Sequence, residues 1–163
     1  AVEASSSNAP THFFARGCFL ISEGKEKEGY SLQKHGFTTA FDYAKASRQW
    51  GERWIILARI ATWRWALLRR AGRNDVLAQE SAEVLRTLDG NALSKAGYGA
   101  QRFASLTLVT LGHAYLRLNE IAKLQQLKVR MKALDEQVTT SNVLSSAREL
   151  CDNRAIPKSL YLY

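Results

Sequence analysis

Apolar residues recur at helical spacing along most of this chain, and three of the resulting stretches close in the same way: Phe13 to Gly24, Ala61 to Gly72 and Leu108 to Asn119. Each is an apolar helical face ended by a residue that stops a helix, and the stops stand 48 and 47 positions apart. A fixed period in this range marks a stacked helical repeat, whose units leave an apolar face that only a neighbouring unit can bury.

Three helical hairpins follow from the pattern. The first starts at Asn8-Ala9-Pro10-Thr11, where a cap-type residue and a proline precede Phe13, Phe14, Gly17, Leu20 and Ile21 on one face. After Gly24, the run Lys25-Glu26-Lys27-Glu28-Gly29 reads as a solvated stretch or an extra exposed turn. Ser31 then caps a second helix carrying Leu32, Phe37, Ala40, Phe41, Ala44 and Ala46, with Gly36 weakening its first turn.

The second hairpin is the clearest. Glu52 to Arg70 reads as one long helix, apolar at Trp54, Ile55, Leu57, Ala58, Ala61, Trp65, Leu67 and Leu68, an arc wide enough to be flanked on two sides. Gly72 ends it, Asn74 or Asp75 caps the next, and Val76, Leu77, Ser81, Val84, Leu85 and Leu88 form a narrower face that Asp89-Gly90-Asn91 closes. The third hairpin runs from Leu93 to Leu118, with a break at Gly97-Tyr98-Gly99, and returns from Ile121 to Gln137. Ser141 to Cys151 reads as a shorter closing helix with Val143, Leu144, Ala147, Leu150 and Cys151 inward, since an end repeat needs its last apolar face covered. The expected organisation is a flexible segment over 1–10, one helical-repeat domain over 11–152 and a tail over 153–163.

The segment Leu111-Gly112-His113-Ala114-Tyr115-Leu116-Arg117-Leu118-Asn119 resembles the first helix of a tetratricopeptide repeat, in which Leu-Gly, a Tyr three residues after the Gly and a turn residue follow in that order. The Ala71-Gly72-Arg73 turn is similar to the same family's inter-helix turn. The likeness covers about residues 12–137, with degenerate motifs and a period longer than the family's own. It implies an all-α, TPR-like α-solenoid of about three antiparallel hairpins plus a C-terminal capping helix. Such a scaffold binds a peptide or protein surface in a groove lined by the first helices. On that basis the contact residues are Arg16, Arg59, Arg64, Arg102, His113 and Arg117. A compact bundle of six or seven helices is the alternative fold.

Composition agrees with a helical domain: 163 residues, 46% hydrophobic, with only Pro10 and Pro157 as prolines. The longest apolar candidate, Trp54 to Leu68, is interrupted by Arg59 and Arg64 and falls short of the roughly 20 residues a membrane span needs. The chain therefore reads as soluble, its small polar N-terminus fitting either a mature end left by removal of a targeting peptide or a chosen boundary. Cys18 and Cys151 fit small core residues, and their pairing stays open.

Chemistry is sparse. His12, His35 and His113 lie far apart, no CxxC pair exists, and Gly97-Tyr98-Gly99 lacks the lysine and strand of a phosphate loop, so no metal or cofactor is expected and the chain reads as a non-enzyme. Charge is the remaining signal: 23 basic against 15 acidic residues give +8, with Arg59, Arg64, Arg69, Arg70 and Arg73 interleaved with Trp54, Trp63 and Trp65. Such a surface suits an acidic protein partner, and equally phosphate in a nucleic acid. A homo-oligomer is also compatible with it.

Overall fold

The computed structural model describes residues 9–91, 93 and 96–138, with side chains through 133, and all its long elements are helices. In order they are α1 (Ala9–Ser22), α2 (Glu26–Lys45), α3 (Glu52–Arg70), α4 (Asn74–Gly90), α5 (Tyr98–Arg117) and α6 (Ile121–Val138). The closing helix expected over Ser141–Cys151, the tail and most of the expected flexible N-terminal segment lie outside the described residues. Two compact units divide the chain, Ala1–Ala66 and Leu67–Tyr163, with the boundary inside α3.

The three recurrent stops share one backbone geometry. Gly24, Gly72 and Asn119 have φ of 83°, 69° and 58°, the left-handed region in which glycine is unstrained and asparagine is tolerated. At each turn the residue after the stop donates its N–H back across the helix end: Lys25 to Leu20 O, Arg73 to Leu68 O and Glu120 to Tyr115 O, all at 2.9 Å. The stop itself donates to Ile21 O, Arg69 O and Leu116 O. This paired pattern is the Schellman motif, which satisfies carbonyls that a helix end would otherwise leave open. After each stop the next helix begins at once, with Gly29, Leu77 and Leu124 donating to the residue that follows the stop.

That immediacy refines the reading of Lys25 to Gly29: Lys25 to Glu28 are exposed as expected, while Gly29 is buried and the run belongs to a helix. Four of these five residues form the first turn of α2, where Glu26 and Glu28 sit favourably at the positive end of the helix dipole. Ser31, expected as the cap, is an exposed residue inside the helix. The break at Gly97 is real: its φ of 119° admits glycine alone in practice, and α5 starts one residue later.

In the unit ending at Ala66, α1 packs on α2 through glycine. A Cβ at Gly17 would stand 2.6 Å from Gly29 O, and one at Gly36 would stand 2.7 Å from Pro10 O, so the two backbones approach as closely as atoms allow. Gly36, read from sequence as a weak point, is a contact point. Phe14, Phe37, Ala40, Phe41 and Ala44 fill the rest of this core with Trp54, Leu57, Ile60, Ala61 and Trp65 of α3. Trp54 keeps its indole N–H satisfied on Ser47 O at 3.1 Å.

In the unit starting at Leu67, α5 packs on α4 and on α6. Leu77, Val84, Leu85 and Leu88 of α4 are buried with Phe103, Ala104, Leu108 and Leu111 of α5, each large side chain contributing about 1.5–3 kcal/mol by leaving water. Ser81 and Thr107 are buried too, and their hydroxyls donate to Leu77 O (2.6 Å) and Phe103 O (2.7 Å) within their own helices, so neither is left unpaired. On α6, Leu127 and Met131 are buried, and Arg130 pairs with Asp89 at the end of α4.

Candidate interaction surface

The α3 helix sorts its side chains by arc. Trp54, Leu57, Ile60, Ala61, Arg64, Trp65 and Leu68 are buried, whereas Glu52, Ile55, Arg59 and Trp63 are exposed at steps of three, four and four residues, which places them in one row along the opposite side. Ile55, expected in the buried arc, is 43% exposed and Trp63 is 48% exposed, one turn to either side of Arg59. Trp63 is held in place from behind, its indole stacking on the buried Phe14 of α1 with ring centres 6.1 Å apart. Arg59 makes no ion pair among the described residues. Several surface cations elsewhere do: Lys45 with Asp42 at 2.8 Å and Lys123 with Glu120 at 3.1 Å.

The six residues expected to make contacts divide between the units. Arg16 on α1 and Arg59 on α3 are exposed, and so are Arg102 and Arg117 on α5. Arg64 is 3% exposed and lies over the ring of Phe37, 5.7 Å from its centre, so its guanidinium is part of the core of its unit. The spacing held the signal: Ile60, Arg64 and Leu68 stand four apart and share the inward row. Ile55 escaped sequence reasoning for the mirror-image reason, since its spacing to Arg59 places it outward however apolar it is; Trp63, named from sequence beside the arginines, lies on the same outward row.

His113, expected as a contact residue, is 6% exposed, and its Nδ1 is buried with no hydrogen-bond partner among the described residues. Burial first, and then the positive charges of Arg69 and Arg117, hold its pKa at about 4, below the ordinary 6.5. It is a neutral imidazole at physiological pH, one helical turn from Arg117. In the other unit Gln33, also buried, donates its side-chain N–H to the Cys18 thiol at 3.2 Å.

Among the described residues no group of three His, Cys, Asp or Glu side chains converges as a metal site would require, and no helix is long and apolar enough to cross a membrane. Compared with known proteins, the chain matches no family model, no curated protein and no solved structure.

Proposed function

We propose that this protein is a non-enzymatic interaction module, a TPR-like array of helical hairpins that binds a peptide or protein surface through the outward rows of its first helices. The observation that carries the reading is the recurrence of one turn geometry at Gly24, Gly72 and Asn119, with unburied arginines on the helix before each turn: Arg16, Arg59, and Arg102 with Arg117. Repeated hairpins make extended surfaces, and arginine beside tryptophan is the side-chain chemistry most enriched where proteins bind proteins. The basic excess favours an acidic partner.

A screen of the whole chain against immobilised synthetic peptides, with RNA and DNA oligonucleotides in parallel and each binder measured at low and raised salt, tests this. Saturable peptide binding that survives added salt is the expected result. Binding confined to oligonucleotides, with affinity falling steeply as salt rises, would instead identify the basic surface as a phosphate-binding one.

A further inference from the structure

We propose that the α3 row Ile55, Arg59, Trp63 is a docking ridge for an amphipathic helix of a partner protein, one that carries a carboxylate with an apolar side chain a turn to either side. This rests on the interaction-module reading and names the partner's chemistry.

Three features of the row define its complement. Its ends are apolar and its centre is a cation, over a length of about 12 Å for eight residues of helix rise. The cation makes no ion pair among the described residues, while Lys45, Lys123 and Arg130 each make one. The tryptophan is already ordered by its stack on Phe14, so little rotamer entropy remains to be lost when a partner covers it. A carboxylate seated on Arg59 accepts two parallel N–H bonds from the guanidinium, and apolar side chains over Ile55 and Trp63 keep water from that pair.

The partner's backbone follows from the position of the row. It lies within α3, well inside Glu52–Arg70, where backbone N–H and C=O groups are committed to the helix itself. An extended strand laid there would gain no backbone partners and would lose water from its own, whereas a helix arrives with its backbone satisfied and with the same residue period. Apolar, acidic and apolar residues four apart on such a helix meet Ile55, Arg59 and Trp63 in register. A nucleic-acid strand is the poorer complement, because its successive phosphates would meet one arginine set between two apolar side chains, with no second cation along the row.

The test is fluorescence anisotropy with the whole chain and a labelled synthetic helix bearing Leu, Glu and Leu at four-residue spacing. Its companions are a version with Glu replaced by Lys, a proline-interrupted version that cannot be helical, and a single-stranded RNA. Arg59→Glu is expected to weaken the acidic helix about tenfold or more and to reverse the preference toward the Lys version; Trp63→Ala is expected to weaken it about tenfold, with circular dichroism unchanged in both. Arg86→Glu, an exposed arginine of α4, leaves the affinity as it was. No binding to the acidic helix, or equal effects of Arg59→Glu and Arg86→Glu, overturns the inference. Binding of the interrupted peptide but not the helix overturns the helical partner and leaves the interaction module standing. Preference for RNA over every peptide, indifferent to Ile55→Ser and Trp63→Ala, overturns both.

Discussion

In the unit ending at Ala66, α1 and α2 meet backbone to backbone at Gly17, Gly29 and Gly36, whereas in the unit starting at Leu67, α4, α5 and α6 meet through the side chains of Leu77, Val84, Leu88, Phe103, Leu108 and Leu127. The turns within the two units are nevertheless the same, down to the acceptor carbonyl. Turn geometry is thus set locally, by one residue that tolerates positive φ, and packing distance is set separately, by whether the facing positions carry side chains. A glycine contact leaves no room for adjustment. A contact made of leucine and phenylalanine can shift rotamers.

The largest expected effect breaks the first of these contacts. A Cβ at Gly29 would meet Gly17 O at 2.6 Å and Ile21 Cγ1 at 2.5 Å; isoleucine can rotate, but the carbonyl belongs to α1 and moves only with the helix. Gly29→Val should therefore cost roughly 3 kcal/mol or more, at the upper end of overpacking penalties, seen as a fall in the urea midpoint. Val84→Leu, in the side-chain-packed unit, should cost about half as much. Equal losses would mean that the glycine approach is no tighter than an ordinary core.

His113 supplies the next effect, specific to the second unit. With its folded pKa at about 4 against 6.5 when unfolded, the unfolded chain binds the extra proton between those values. Stability from this group is whole above 6.5 and is lost as pH falls towards 4, by up to about 3 kcal/mol. Urea unfolding followed across that window should show the decline in the native chain and a flatter profile in His113→Leu. A variant that keeps the full slope would assign the decline to carboxylates.

These contrasts mark what could be read from sequence. The bounds of α3 match the expectation residue for residue, because Gly51 and Gly72 flank an uninterrupted helix-forming stretch, and the stops were legible because glycine and asparagine announce positive φ. Tertiary closeness was not. Gly36 looks like a defect in one helix until the second helix is placed against it, and Gly29 looks like the end of an exposed charge run until it is seen facing Gly17. Arg64 was misjudged by type: charge argued outward, while its four-residue register with Ile60 and Leu68 held it inward, over the ring of Phe37. Of the outward row of α3, Arg59 and Trp63 stood out in the sequence as a basic and aromatic pair, whereas Ile55 was assigned to the buried arc.

The smallest effects sharpen the part the two units share. Gly24 and Gly72 have open space where a Cβ would go, so alanine there meets only the conformational penalty of left-handed backbone, about 1–2 kcal/mol at either site. Asn119 already bears part of that penalty at φ 58°, and Asn119→Gly should relieve it, stabilising the third hairpin by a few tenths to about 1 kcal/mol. Loss of the Asn side chain and the greater freedom of glycine in the unfolded chain oppose the gain, which keeps it small. Thermal unfolding of the three variants in one buffer reads all of these together. Similar losses at Gly24 and Gly72 with a gain at Asn119 mean that the same backbone angle closes the turn in both units; a loss at Asn119 means instead that its side chain, and not its backbone angle, holds the third turn.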